Sequence, residues 1–409
     1  MANVTINPDK TISVNGKKTF PVYMYSICNA YFETHNGGMV EPCDPSKNSE
    51  FLFSAGGSFN LLYDKLDYKN KFEKAGVGYT FDIKTIDDVA QELKDSPSFF
   101  GYYQPDEPAD DQLPKISAYY KRVKAIEPDH LVIQNVWTDM TKWAPSTDII
   151  TWDMYTIRNI KYWPREDSIY AYEQWSRQSF FENKYEVNSI SKPVWAVIQA
   201  NGVNEGDRLV PTPNEVRANT YTAITMDVKG IGFWSYLGWG GSLDPTPSFP
   251  YGTSGLYNKP SLHSYYRQLA RELNTLNDIL VLPTKDYSWH YHQGTKVLFS
   301  AGLTKTVLWQ TRNNFNYILK QSGNTNYLIV VNKDSRPLSN VKLTITDLTG
   351  VMSAKTLGLE TSGSGRTGRV LSVNNGQFTD SFDGLAVHIY EIGSDIPCPP
   401  SQCDFTITQ

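Results

Sequence analysis

The chain predicts an α/β protein, a (β/α)8 TIM barrel followed by an all-β sandwich. Three observations lead there. Eight short apolar, β-favouring runs recur before residue 282, with helix-patterned stretches between them. Beyond Leu282 the helical spacing disappears, and Val/Ile/Thr-rich runs with Gly/Asn turns take over. Finally, the aromatic run Phe99-Phe100-Gly101-Tyr102-Tyr103-Gln104 stops at Pro105-Asp106-Glu107-Pro108, which cannot continue a strand. Two acids therefore stand at the C-terminal end of a strand, where an α/β barrel places its catalytic groups.

Taken in order, the first element is a hairpin. Thr11–Phe20 alternates in polarity around Asn15-Gly16, a pair suited to a tight two-residue turn. It leads into Phe20–Ile27, the first barrel strand, whose N-terminal end such a hairpin would plug. Asn60–Asp64 is the second strand, followed by a helix near Lys69–Ala75 that Gly76 stops. Val77–Asp82 is the third strand, Ile86–Leu93 a helix, and 99–104 the fourth strand. Leu113–Ile126 has helical spacing through Ile116, Tyr119, Tyr120 and Val123. Leu131–Val136 and Ile149–Tyr155 are strands five and six, and an aromatic helix runs through Tyr170–Asn183. Pro193–Gln199 is strand seven. Thr212 and Glu215 form a capping-box pattern that opens a helix, with Gly230 as its stop. Ile231–Tyr236 is strand eight, and Leu262–Leu276 is the closing helix.

The domains expected are 1–282, a barrel with its N-terminal hairpin; 283–395, the sandwich; and 396–409, a cysteine-containing tail. A chain of 409 residues exceeds one ordinary core, in keeping with two domains. Only Leu280–Thr284 connects them, which predicts an apolar, immobile junction. The absence of an internal repeat excludes a solenoid or propeller.

Composition narrows the partners. A net charge of −5 with no Lys/Arg cluster argues against nucleic acid. No run approaches the ~20 consecutive apolar residues of a membrane span. The 26 Tyr and 10 Trp supply flat amphipathic rings of the kind that line sugar clefts as well as large cores. Cys28, Cys43, Cys398 and Cys403 match no zinc spacing and the histidines are scattered, so neither a metal nor another cofactor is called for. Cys398 and Cys403 bracket a Pro-stiffened loop, and Cys28 and Cys43 flank a Gly-rich one; two disulfides would fit a secreted or cell-surface protein, four thiols a cytoplasmic one. The start Met1-Ala-Asn-Val lacks the regions of a signal peptide.

With eight strands assigned, their ends bring Asp64, Asp82, Glu107, Asp153, Tyr155, Gln199, Trp234 and Tyr236 to one cavity. Trp239 extends an aromatic wall, and the irregular loop 238–250 reads as a lid. Glycosidic cleavage needs a proton for the leaving oxygen and a second carboxylate for water or the anomeric carbon. Glu107, ending strand four among aromatics, is the natural proton donor. Asp64 and Asp82 suit sugar hydroxyls or helix caps. The chain here resembles the clan A glycoside hydrolases: an Asn-Gly-Lys hairpin enters strand one, Gly-Tyr-Tyr-x-x-Asp-Glu-Pro ends strand four, and Trp-Ser-Tyr lies on strand eight before a C-terminal β-sandwich. The resemblance implies a glycoside hydrolase acting on a poly- or oligosaccharide, with Glu107 as acid/base and Asp106 where the family's Asn holds the sugar 2-hydroxyl. It departs at strand seven, where the family's nucleophilic Glu is replaced by Gln199. Asp153 on its rigid strand is the preferred second carboxylate, and would activate water with inversion. Glu205 in the following loop, or a site that binds carbohydrate or serves as a surface or phage structural module without cutting, are the other readings.

Overall fold

The computed structural model describes residues 4–24, 59–61, 101–104, 107–137, 139–158, 163–181, 190–202, 208–234, 256, 259–288, 297–300, 304–307, 310–360 and 363–393. Outside these lie the expected strand 77–82, the helices at 69–75 and 86–93, the loop 238–250 and all four cysteines. The chain divides into two compact units that are not contiguous in sequence. One comprises 1–154, 189–203 and 229–270, the other 155–188, 204–228 and 271–409.

The first unit opens with three short antiparallel strands, β1 (Val4–Ile6), β2 (Ile12–Val14) and β3 (Lys17–Thr19). Their turn is the Asn-Gly pair, with φ of 50° at Asn15 and 80° at Gly16, the left-handed values that a two-residue turn between twisted strands requires. A seven-stranded parallel half-barrel follows: β4 (Val22–Met24), β5 (Phe59–Leu61), β6 (Gly101–Tyr103), β7 (Leu131–Val136), β8 (Ile149–Asp153), β9 (Val194–Gln199) and β10 (Ile231–Trp234). Its order is β4-β10-β9-β8-β7-β6-β5, so the first strand in sequence lies beside the last, as barrel closure demands. One difference from the expected order is local. β5 pairs directly with β6, Phe59 level with Gly101, in the place expected for 77–82. Apolar runs announce strands, but order within a sheet is set by pairing that no single run encodes.

Along this unit Leu113–Ile126 is helix α1 and Met140–Trp143 is the short helix α2, capped by Asp139 accepting from the Thr141 N–H. Glycines admit close packing in the sheet. A Cβ at Gly232 would lie 2.3 Å from the Tyr23 ring, and one at Gly230 would lie 2.6 Å from Pro21 Cγ and 2.8 Å from Trp195 Cγ.

The second unit contains helices α3 (Ser168–Phe181) and α4 (Pro213–Ile224), and α5 (Pro260–Thr275) runs into it before α6 (Asn277–Leu280). The capping box is present: Thr212 accepts from the Glu215 N–H while Glu215 accepts from the Thr212 N–H at 2.7 Å. Gly230, however, does not stop α4, which ends at Ile224. A tight turn follows, and Asp227 makes the left-handed exit at φ 66°. Its carboxylate accepts from Thr284 Oγ1 at 2.7 Å and lies 3.6 Å from Lys320 Nζ, so tertiary bonds hold a conformation usually left to glycine.

From Thr284 onward the described elements are strands. Nine of them form one antiparallel sheet: β11 (Thr284–Tyr287), β12 (Val297–Phe299), β15 (Phe315–Ser322), β16 (Thr325–Asn332), β17 (Leu338–Ile345), β18 (Val351–Leu357), β19 (Val370–Asn374), β20 (Gln377–Phe382) and β21 (Val387–Gly393). β13 (Thr304–Val307) and β14 (Gln310–Asn313) make a separate hairpin. The large sheet is nearly closed about one core of Leu319, Leu328, Val330, Leu343, Phe378 and Tyr390. Phe299, on the last strand in the pairing order, stacks on Phe315 near the opposite end, ring centroids 4.7 Å apart. Where an apolar junction is expected, α3 and α4 also carry buried charges beside apolar residues such as Ile169 and Val216. Lys333 pairs with Glu173, and Arg217 donates to Val387 O at 3.0 Å and to Glu272 at 2.7 Å. Among the described residues no helix is long and apolar enough to cross a membrane.

Candidate active site

Strand register decides which side chains share a face of the half-barrel. In a parallel sheet, residues level with one another point the same way, and direction alternates along each strand. Asn135 is level with Thr151, Asp153 with Val197, Gln199 with Trp234, and Gly232 with Tyr23. One face therefore carries Leu131, Ile133 and Asn135 of β7; Ile149, Thr151 and Asp153 of β8; Trp195, Val197 and Gln199 of β9; and Trp234 of β10. Among the described residues, the other face meets helices at two points. Phe233 meets the Tyr266 ring of α5 edge-on at 4.9 Å, and Gln104 Nε2 donates to Ile116 O of α1 at 3.2 Å.

The first face changes character along the strands. At the N-terminal end Leu131, Ile133, Ile149, Trp195 and Tyr23 cluster with Val4 and Ile12 of the antiparallel strands. The hairpin plugs that end, as expected, and Lys10 Nζ donates to Ile190 O at 2.5 Å to fasten it. Towards the C-terminal end the same face turns polar. Thr151 Oγ1 donates to Asn135 Oδ1 at 3.0 Å. Asp153, 9% exposed, is the last residue of β8. Gln199, fully buried, ends β9; its Nε2 donates to Asn201 O at 3.1 Å, and its own carbonyl accepts from Tyr266 Oη at 2.5 Å. Trp234 ends β10 half-buried, and its carbonyl accepts from the Ala200 N–H at 2.6 Å.

Glu107 lies beyond the end of β6. The Gln104 N–H makes a last ladder bond to Ile133 O at 2.9 Å, and by Glu107 the chain has left the strand. Glu107 is exposed and sits at φ 44°, a left-handed value uncommon for a non-glycine residue. Strand alternation no longer fixes where its side chain goes. Such a conformation costs on the order of 1–3 kcal/mol and persists where surrounding structure enforces it. Tyr155 belongs to the second unit, where it is buried, its ring capped by the Arg208 guanidinium at 4.9 Å. Asp64, Asp82, Asp106, Tyr236, Trp239 and Glu205 lie outside the described residues.

Sequence reasoning missed Asn135 and Asn201. Asn135 shares the face of Asp153, and the signal was available: in Leu131–Val136 it is a polar residue in register with two apolar ones. Asn201 is 2% exposed, and its Oδ1 has no hydrogen-bond partner among the described residues. A buried acceptor of that kind next to Gln199 suits a hydroxyl-bearing ligand. Among the described residues no group of three or more His, Cys, Asp or Glu is placed to hold a metal ion.

Among the solved structures similar to this chain are two with the same fold. One, a glycoside hydrolase, matches 97% of this chain and 98% of its own at 13% identity and a TM-score of 0.54. The other, a glycoside hydrolase family 5 protein from Bacteroides vulgatus ATCC 8482, matches 96% of this chain and 94% of its own at 13% identity and a TM-score of 0.54. At that identity the likeness is one of fold, spanning the parallel and antiparallel parts alike. No family model and no curated protein matches the chain.

Proposed function

We propose that the protein hydrolyses glycosidic bonds in a poly- or oligosaccharide, with Glu107 as general acid and Asp153 as the second carboxylate. The observation that carries this reading is the polar end of the half-barrel face, where Asn135, Thr151, Asp153 and Gln199 follow an apolar, plugged end on the same strands. Barrel enzymes work from that C-terminal end. Glu107 protonates the leaving oxygen as the glycosidic bond breaks, and Asp153 takes a proton from the attacking water. With an amide at Gln199, no glycosyl intermediate forms on β9, so inversion is expected; that geometry asks for roughly 6.5–9.5 Å between the two carboxyl groups. Asn201 and Gln199 bind sugar hydroxyls, Trp234 stacks on a ring, and Asp64, Asp82, Asp106, Tyr236 and Trp239 are assigned to the same cleft. No metal or other cofactor enters. The protein would act on glycans outside the cell or at its surface.

A second reading, carbohydrate binding without turnover, draws support from Gln199, whose amide is tied to Asn201 O. Reducing-sugar release across a polysaccharide panel separates the two. Release from one glycan, with the first-formed anomer inverted by NMR, supports hydrolysis with Asp153 as base. A retained anomer removes Asp153 from that role, and retention of a glycan on an affinity gel without release leaves the binding reading.

A further inference from the structure

The antiparallel sheet carries a second constellation that the half-barrel chemistry does not use. Ser364, on the loop between β18 and β19, has its Oγ 3.1 Å from His388 Nε2, and His388 Nδ1 lies 3.0 Å from Asp380 Oδ2. The hydrogen bonds assign the protons. Asp380 accepts from both Arg369 Nη1 and Nη2 at 2.8 Å and from Tyr390 Oη at 2.7 Å, so it is a carboxylate with no proton to give. Tyr390 spends its proton on Asp380, so its oxygen, 2.9 Å from His388 Nδ1, can only accept there. Nδ1 therefore carries the hydrogen of a neutral imidazole, and Nε2 offers a lone pair. The Ser364 hydroxyl is the donor that faces it. Burial holds the His388 imidazole below its ordinary pKa, with Asp380 opposing, and this keeps the base form.

The serine is held in place. Its N–H donates to Asp383 Oδ2 at 2.8 Å, and the Asp383 N–H donates back to Ser364 Oγ at 2.7 Å. That N–H would stabilise charge developing on the oxygen, and one lone pair of Oγ remains for attack. The loop is pinned on both sides: Thr356 Oγ1 donates to Arg366 O at 2.7 Å, and Thr367 Oγ1 to Gly358 O at 2.8 Å. Two glycines flank the serine. Gly363 takes φ 74°, and a Cβ at Gly365 would lie 2.6 Å from Glu360 Oε2. Ser364 is partly exposed, while His388 and Asp380 beneath it are buried. Nucleophile, base and orienting acid thus stand in the order and at the separations of acyl-transfer catalysis, which is recognised by geometry and roles and not by fold.

We propose that Ser364, His388 and Asp380 form a serine-esterase site that cleaves short acyl esters. Ser364 Oγ bonds to the acyl carbon as its proton passes to His388 Nε2. The ester C–O bond then breaks, and the alcohol leaves with that proton. Water attacks the acyl-serine, gives a proton to Nε2, and releases the carboxylic acid as Ser364 regains its hydrogen. Water is the only co-reactant. A short acyl group is inferred because the loop Gly363-Ser364-Gly365-Arg366-Thr367-Gly368 carries no apolar side chain to grip a longer one.

The test treats the full chain with a fluorophosphonate probe and follows 4-nitrophenyl acetate hydrolysis. The expected result is one label mapped to Ser364, absent from Ser364→Ala, with acetate hydrolysis at least about 100-fold slower in that variant. In the wild type the rate rises with pH through a single group as His388 gives up its proton. The groups facing that imidazole are Asp380, Tyr390, Arg369, Arg217 and Ser364. Absence of label at Ser364, or undiminished hydrolysis by Ser364→Ala, overturns the proposal and leaves the network a structural clasp. Should Ser364→Ala not fold, peptide mapping of the labelled wild type decides alone.

Discussion

On the inner face of the half-barrel, Leu131, Ile149 and Trp195 stand at one end and Asn135, Asp153 and Gln199 at the other. Each pair is separated by four positions on the same strand, a span of about 13 Å. The apolar end is sealed by Val4 and Ile12 and packed against rings, Tyr23 lying 5.7 Å from Trp195. The polar end is buried too, yet it holds an acid, two amides and an acceptor without a protein partner among the described residues. Burial costs the polar end several groups' worth of hydration and stabilises the apolar one. The strands thus begin in apolar packing and end in buried polar groups. Mutations at the two ends should accordingly change different observables.

The largest expected effect is on rate. Glu107→Gln should lower glycan turnover by about 10²–10⁴-fold while the melting temperature stays put, since an exposed side chain leaves no cavity. Near wild-type turnover of a substrate with a poor leaving group would remove Glu107 from the reaction. At the opposite end, Trp195→Ala should cost about 3–5 kcal/mol of stability, because a fully buried indole is replaced by a void. Urea denaturation measures this; a loss under 1 kcal/mol would mean that the plug does not hold that end together. Gly232→Ala is a finer probe of the same packing. Its Cβ would meet the Tyr23 ring, so roughly 1–3 kcal/mol is expected from overpacking, and Gly232→Ala with Tyr23→Leu should recover much of it.

The smallest effect contrasts the half-barrel with the antiparallel sheet. Burial depresses the pKa of His388, and Asp380, despite its own burial, is held well below the usual carboxylate range by Arg369, His388 and Tyr390. Both groups bind fewer protons folded than unfolded. Their stabilisation is present above the unfolded values, near 6.5 for His and 3.9 for Asp, and is lost as pH falls through the folded ones. The melting temperature should therefore decline in two stages on acidification from pH 7. His388→Gln should remove the upper stage, and an unchanged profile in that variant would show that His388 does not contribute.

Local chemistry made much of this legible beforehand. The Asn15-Gly16 turn, the Thr212–Glu215 capping box, the six-residue strand Leu131–Val136 and the helix Leu113–Ile126 are each specified within a window of a few residues by sterics, hydrogen-bonding reach or hydrophobic period. Asp153 and Gln199 were likewise legible as strand ends, because a strand end needs only its own run and the turn after it. What a window cannot contain is which strand lies beside which. The direct pairing of β5 with β6, the sharing of one face by Asn135 and Asp153, the use of Gly230 for packing against Pro21 and Trp195, and the left-handed turn at Asp227 all depend on partners far away in the chain. Ser364, Asp380 and His388 make the same point. Nothing in their spacing suggests a joint role, since β20 and β21 are not neighbours in the sheet. Only closure of that sheet around its core brings an imidazole between a buried carboxylate and a loop hydroxyl, because hydrogen bonds at 3 Å are set by tertiary register and not by composition.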